Sequence, residues 1–562
     1  MTFKTSPYAS RLLASQVLAA CVCDLYPGAQ IVSGAIFPYG FCYDFYLEQP
    51  LDEQAAPLLE LSLKKWIKEK MPVKVQEMMR ENGADFLRFH HQPIAALLTE
   101  QESSNIVSFI SLGKFVAPLL NCRNIEMPST SEEAGCIKIL SIAREQTYVP
   151  EMGTLAIVRI EVAVWPDPAS LKQFLKRWHQ FQKNDHRIIA QEMNLGICLD
   201  GCYYWRPKGE ILKKIVTDWW RGLATNLGFQ LVSTPSFTAA EKEKNLWIEW
   251  EDNMYQLFPN RTDSHDRLFQ LQSPTQWQLP VRYAECAETF ASIPLQQLYG
   301  LMKLRLFHAD TFSVFCTEEQ VQGELISLLQ FFDEIVNIIG FEHRWYRVAA
   351  RSPHAIGTVA KWRSDADSLA QAMQAIGLSY EEDSLEESEI GPRLEARISS
   401  PSGREWTGPK LTINVRPSGQ NGEKKNLYRL NGSLFSSVER FIGLLLEHFA
   451  GKLPLWFAPE QVRILTVGQK KDYANALKRR IEEAGFRVGL DETKEKLGSK
   501  VHAAEQEKIP FIIIAGDREE EKALLTVRSC QKEKLQTRIR LEDFLDLLQN
   551  EAKCRRNPNE ES

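Results

Sequence analysis

A chain of 562 residues is too long for one hydrophobic core, so three or four domains are expected, and its 44% hydrophobic and 25% charged residues are the balance of an ordinary globular protein. The net charge of -6 at pH 7 excludes recognition of nucleic acid through bulk positive charge and confines any RNA contact to a local basic patch. No run of about 18 apolar residues offers a membrane span. The cysteines are scattered, Cys21 and Cys23 are separated by one residue and no CxxC pair occurs, so reduced thiols, no signal peptide and a cytoplasmic location are expected.

In chain order, residues 12–25 have helical periodicity, and 34–45 hold a Pro-Tyr-Gly turn between extended runs. Residues 57–70 form an amphipathic helix with Leu59, Leu63 and Ile67 on one face. A single long helix is predicted over 168–193, where Leu171, Phe174, Leu175 and Trp178 recur at helical spacing. Residues 381–389 read as an acidic loop and 399–403 as a hairpin turn. Near the end, an apolar strand at 462–467 leads to a helix at 472–484, opened by Asp472 and closed by Gly485. A strand at 486–490, a fully apolar strand at 511–515 and a last helix at 541–548 complete a small α/β domain.

Several segments, all in one order, resemble the bacterial threonyl-tRNA synthetase family. NLGFQLVSTP (226–235) resembles motif 1 of class II aminoacyl-tRNA synthetases, LPVRYAE (279–285) the entry to motif 2, and SVERFIG (437–443) motif 3. The segment 496–519, KLGSKVHAAEQEKIPFIIIAGDRE, is similar to the core of that family's anticodon-binding domain. LYPGAQ and GFCYDF (40–45) resemble its editing domain, and 165–195 its linker helix. The resemblance implies a multidomain α+β and α/β fold with a class II antiparallel-sheet core. The implied domains are an editing-like domain at 1–160, a linker helix at 161–200, the synthetase-like core at 201–452, an anticodon-binding-like domain at 453–555 and a disordered tail at 556–562. The family's small N-terminal ubiquitin-like domain is expected to be missing.

The resemblance also shows which chemistry has been replaced. Family editing uses an HxxxH pair and a CxGPH segment. Here Leu12 and Gln16 stand at the first two histidines, and Cys122 survives while Glu126 replaces the last. Neither Leu nor Gln can accept a proton from water near neutral pH. The family's zinc is held by a Cys and two His, which align with Ser273, Ser313 and Asn431; these are poor ligands, so zinc is expected to be absent. His90 and His91 point apart, and His265 and His308 read as isolated. The motif 2 arginine and glutamate become Ala291 and Ile293, which removes the cation that stabilises the pentavalent phosphate. Arg305 and Arg440 remain as candidates, the latter for a phosphate or for pairing with Glu439 or a neighbouring carboxylate. Thr407 and Thr412 replace the glutamines of the threonine pocket.

Lys494, Lys496, Lys500 and Arg528 are the candidate tRNA-phosphate contacts, although Glu492, Glu495 and Glu505 are interleaved. No metal or cofactor is assigned; ATP is the nucleotide that the family plan would accept. Expected partners are tRNA, with the threonine tRNA first in line, a second copy of the chain through motif 1, or a synthetase subunit, and neither DNA nor a membrane. The leading reading is a catalytically degenerate paralogue. The alternatives are a divergent active threonine–tRNA ligase and a repurposed adenylate-forming ligase.

Overall fold

The computed structural model describes residues 6–553 except 38, 50, 103, 120–126, 150, 240–245, 251–252, 259, 272–277, 294–296, 342–343, 353–354, 400–404, 418–425, 469 and 531–535. The chain divides into two compact units, one built mainly from residues 1–182 and the other from 183 onwards.

In the first unit, the antiparallel strands Gln30–Phe37, Gly40–Tyr46, Gly153–Trp165 and Cys136–Val149 form one sheet in that order. The helix Pro7–Leu25 is buried along most of its length, with Leu12, Val17 and Leu18 fully enclosed beside Phe41 and Phe45. A three-stranded sheet, Val73–Met79, Ile106–Leu112 and Phe115–Pro118, lies in the same unit. Ala56–Lys68 is the amphipathic helix expected there, burying Leu59 and Leu63. The long helix expected over 168–193 is broken in two, Pro168–Gln182 and His186–Glu192. Asp185 causes the restart: its carboxylate accepts from the Arg187 N–H and so supplies a new N-cap inside an otherwise helical pattern.

The second unit is organised on an eight-stranded sheet. Numbered in chain order, its strands are β1 (Gln230–Leu231), β2 (Val281–Phe290), β3 (Leu306–Cys316), β4 (Arg344–Arg351), β5 (Tyr380–Ser388), β6 (Arg393–Ser399), β7 (Glu405–Pro417) and β8 (Asn426–Ser433). They lie in the order β1-β2-β3-β8-β7-β6-β4-β5, antiparallel throughout the middle and parallel only at the two edge pairs. The acidic run at 381–389 is therefore a strand for most of its length. It takes the edge position, where charge is tolerated because one side of the strand faces no neighbour. Alternate residues of the sheet (Ala284, Phe312, Val314, Leu394, Ala396, Leu411, Ile413, Leu430) are buried against the helices Pro207–Asn226, Glu318–Ile339, Val359–Ala375 and Val438–His448.

The C-terminal segment forms a five-stranded sheet in the order Val488–Asp491, Val462–Thr466, Phe511–Ala515, Leu525–Ser529, Gln536–Ile539. The first three are parallel and the last two antiparallel additions. Phe511–Ala515 sits in the middle, as its uninterrupted apolar sequence requires. Gly485 follows the helix Lys471–Glu483 at φ 92°, a conformation that disfavours a side chain. Among the described residues no helix is long and apolar enough to cross a membrane.

Candidate functional site

Side chains on the face of the central sheet away from the helices line the site. Along β2 and β3 these are Tyr283, Glu285, Thr311, Ser313 and Phe315; along β8, Arg429, Asn431 and Ser433. Thr407, Lys410 and Thr412 follow on β7, then Arg393, Glu395 and Arg397 on β6. One end of this face is roofed by the helix Arg261–Gln270, whose Phe269 stacks on Phe315 with ring centroids 4.2 Å apart. Arg261 is buried and donates to the carbonyls of Thr234, Pro235 and Glu288. Arg429 reaches the same helix through the Asp266 carboxylate and the Thr262 carbonyl.

Strand register brings the two replaced histidine positions together. Ser313 on β3 is the direct partner of Asn431 on β8, and the Ser313 hydroxyl lies 3.3 Å from Asn431 Oδ1. His265 is not isolated: its Nδ1 lies 3.0 Å from Ser313 Oγ, and its Nε2 lies 3.3 Å from Glu285 Oε1. Glu285 also accepts from the Thr234 N–H and hydroxyl. Burial opposes its ionisation, but the bonds from His265 and Thr234 prevail and hold its pKa below the ordinary carboxylate value. This set offers a hydroxyl, an amide oxygen and one imidazole whose two nitrogens already face protein partners. It does not fit zinc, which takes thiolate and free imidazole nitrogen at about 2.0–2.3 Å. Ser273, the expected counterpart of the family's cysteine, lies outside the described residues. Sequence spacing gave no sign that His265 belongs here, because the roofing helix reaches Ser313 only through the fold.

The motif 2 segment is held by backbone. Ala291 N–H donates to the Arg305 carbonyl at 2.8 Å, and the Arg305 guanidinium donates to the Ile293 carbonyl at 2.9 Å. Arg305 thus braces the loop that carries the replaced residues. Arg440 does not pair with Glu439. Glu439 instead accepts from the His308 N–H and lies 2.8 Å from His308 Nδ1, so His308 too has a partner. Arg440 donates from Nε to the Met302 carbonyl at 3.0 Å and lies over the Trp406 ring. Burial pushes its pKa below the ordinary arginine value.

Among the described residues one group of potential metal ligands does form: Asp185, His186 and Glu447, which the sequence spacing did not suggest. Its internal bonds account for part of it, and His186 Nε2 and Glu447 Oε2 are buried without a hydrogen bond to any described residue. His186 Nδ1 lies 2.7 Å from Glu447 Oε1, while Asp185 accepts from the Arg187 guanidinium and from the Tyr299 hydroxyl at 3.1 Å. Burial works against the Asp185 carboxylate, yet Arg187 overcomes it and holds the pKa at about 2.

In the first unit, Leu12 and Gln16 are fully buried within their helix, so neither faces an open cleft. Cys122 and Glu126 lie outside the described residues. Burial pushes the Cys21, Cys23 and Cys42 thiols up to about 12, away from reactivity.

The candidate RNA contacts separate. Lys494 and Lys496 are exposed, the latter at the start of the helix Leu497–Gln506. Arg528 is 3.5 Å from Glu505 and partly neutralised. Lys500 is not on the surface at all. Its ammonium is buried and donates to the Thr466 carbonyl at 3.1 Å and the Asp491 carbonyl at 3.2 Å, with Asp491 Oδ1 at 3.6 Å. It joins two parallel strands from the inside and is removed from the phosphate-binding set.

Comparison with known proteins agrees with this architecture. Residues 246–449 match the family "tRNA synthetase class II core domain (G, H, P, S and T)", and residues 461–551 match "Anticodon binding domain". The chain is 29% identical over 562 residues to the threonine–tRNA ligase of Oleidesulfovibrio alaskensis, covering 95% of this chain and 86% of that protein. It is 28% identical over 565 residues to that of Clostridium tetani, covering 96% and 87%. A solved structure of the RNA-binding domain of threonyl-tRNA synthetase from Cryptosporidium parvum shares the fold, with a TM-score of 0.60 at 22% identity over 65% of this chain and 98% of that one. With the two family matches in this order and such relatives along nearly its whole length, the chain belongs to the threonyl-tRNA synthetase family of class II aminoacyl-tRNA synthetases.

Proposed function

We propose that this chain is a family member that has kept the synthetase fold and RNA binding and has lost amino acid activation. One observation carries the reading: at the two described metal positions Ser313 and Asn431 bond to each other, and the one imidazole beside them, His265, is turned to Ser313 and Glu285, so that hydroxyl and amide stand where zinc takes thiolate and free imidazole. A metal-free pocket of hydroxyl and amide groups has no Lewis acid to orient the amine and hydroxyl of threonine. The relatives' name makes threonine and its tRNA the substrates to test first. The test is ATP–pyrophosphate exchange with each of the twenty amino acids. The expected result is no amino-acid-dependent exchange above the protein-free rate. Exchange with threonine would restore the ligase reading, and exchange with another amino acid would favour a repurposed adenylate-forming enzyme.

The same reading includes a two-fold dimer in the cytoplasm. Around the motif 1 strand, Leu231, Phe237, Ile248 and Trp250 are exposed, Trp250 to 63%. A second copy that covers them would remove this apolar surface from water. Light scattering at micromolar concentration is expected to give the mass of a dimer, and Phe237→Asp with Trp250→Asp to give that of a monomer. A monomeric parent protein would refute this part of the reading.

A further inference from the structure

The helix Pro168–Gln182 of the first unit has two unlike halves. One half is locked onto the sheet: Phe174, Trp178 and Phe181 are buried with Tyr39 and Ala163, and the Tyr39 and Trp178 ring centroids lie 5.1 Å apart. The opposite half carries Lys172, Lys176, Arg177 and His179, all exposed, along about 10 Å of helix. No acidic residue occurs between Pro168 and Gln182. Among the described residues no hydrogen bond or ion pair engages the side chains of Lys172, Lys176 or Arg177. The acid just before the helix, Asp167, is engaged at the cap, where it accepts from the Ala169 and Ser170 N–H groups and the Ser170 hydroxyl. Several other helical cations have carboxylates at hand: Lys214 and Arg221 share Asp218, Lys478 has Glu482 and Arg480 has Glu542. Lys172 and Lys176 are one turn apart, a like-charge spacing that weakens a helix, so the buried aromatic half holds the basic half in place.

We propose that this exposed half of the helix is a docking surface for the phosphate backbone of an RNA duplex. On a chain of net charge -6 a polyanion is repelled by most of the surface and settles only where cations are clustered and not already neutralised. Lys172, Lys176 and Arg177 meet that condition on a rigid element, which lets them contact phosphates without first being ordered. Three cations on one face contact a duplex through its backbone and shape, so the surface reads no sequence. An anionic lipid surface fits less well. A helix that lies on a membrane inserts its large apolar side chains, and here Phe174, Trp178 and Phe181 are all turned inward and packed. The proposal goes beyond the retained RNA binding of the reading above, whose candidate contacts Lys494 and Lys496 lie in the C-terminal domain, and it does not depend on the loss of activation.

The test uses the full-length protein and an RNA hairpin of about 16 base pairs without an anticodon loop, titrated by fluorescence anisotropy at low and rising salt. Reversing the three cations together (Lys172→Glu, Lys176→Glu, Arg177→Glu) is expected to lower affinity at least about tenfold and to make the slope of log affinity against log salt shallower by about two to three. A control with the same change in net charge at exposed positions elsewhere (Lys64→Glu, Arg479→Glu, Lys522→Glu) is expected to stay within about twofold of the parent, as is Lys494→Glu with Lys496→Glu. A second measurement on the unmodified chain guards against a misfolded variant: the hairpin should slow acetylation of Lys172 and Lys176, read by mass spectrometry, and leave Lys64 unaffected. No binding of the hairpin at tens of micromolar, an equal loss in the control, or no protection of Lys172 and Lys176 would each overturn the proposal. So would binding of a DNA duplex, or of vesicles of phosphatidylcholine and phosphatidylserine, in place of the RNA. Titration of tRNA against the Lys494 and Lys496 variant reports on the C-terminal contact, and the exchange assay reports on activation, so each conclusion fails separately.

Discussion

Lys500→Glu is expected to unfold the C-terminal domain, with a loss on the order of 4 kcal/mol, rather than merely weaken RNA binding. The ammonium of Lys500 is enclosed, with 1% of its side chain exposed beside Asp491. Its donors are spent on the Thr466 and Asp491 carbonyls. A glutamate there would put a carboxylate against two carbonyl oxygens and a second carboxylate, beside a Thr466 hydroxyl that already donates to the Asp491 carbonyl. Lys494→Glu with Lys496→Glu, both at exposed positions, is expected to leave stability within about 0.5 kcal/mol and to lower affinity for every tRNA by a similar factor, most clearly at low salt. Urea denaturation and tRNA titration by fluorescence anisotropy, run on both variants, check this. A stable Lys500→Glu protein would remove the internal role assigned to Lys500. Unchanged tRNA affinity in the double variant would remove the surface role assigned to the other two.

Arg463→Met is expected to destabilise the second unit by about 3 kcal/mol at pH 7 and to flatten its acid sensitivity. Arg463 joins Glu460 at 2.6 Å and Glu507 at 2.8 Å, and Lys208 joins the same two carboxylates at 2.5 Å each. Burial alone would raise the Glu507 pKa, but Arg463 and Lys208 outweigh it and hold the value at about 2 against an ordinary 4.5. A carboxylate whose folded pKa is depressed stabilises the native state fully above its unfolded value and loses that contribution as the folded value is approached. The parent protein should therefore lose about 2 kcal/mol between pH 5 and pH 2 from this group, after allowance for its partial exposure. The variant, lacking the arginine, should lose less over the same window. Thermal melts at pH 7, 5 and 3 measure both effects. A parent and variant that fall in parallel with pH would show that Glu507 is not the group responsible.

Much of the fold was written in local sequence. The run Phe511–Ala515 is apolar on both faces, and only a central strand uses such a segment; the Ala56–Lys68 helix shows its buried face through Leu59 and Leu63. The misreadings arose where a distant partner overrides local pattern. The acidic residues after Tyr380 suggested a loop because charge favours solvent, yet an edge strand meets solvent too. Lys500 looked like a surface cation because its type usually is one; Thr466, thirty-four residues away, makes it internal. The break before His186 hid inside a continuous helical period, since an aspartate cap and an aspartate on a helix surface look alike until the backbone turns. The site was legible through family motifs at Ser313, Asn431 and Arg440. It was not legible at His265, whose place in the site comes from a roofing helix.

The bond between His186 and Glu447 has a consequence for the order of assembly, because the two residues are 261 positions apart in the chain. Translation exposes residues from the N-terminus at roughly 5–20 per second, so His186 waits for tens of seconds before its partner exists. The middle of the sheet waits as well: β3 is flanked on one side by β8, whose residues emerge more than a hundred positions later. Residues 1–182, whose contacts are mostly internal, have no such delay. The nascent chain therefore carries a finished first unit while β2 and β3 remain without their inner neighbour, and the second unit closes only near the end of synthesis. Truncation shortly before Asn426 would leave a chain with a complete first unit and an open sheet edge, the form in which strands of separate molecules pair most readily.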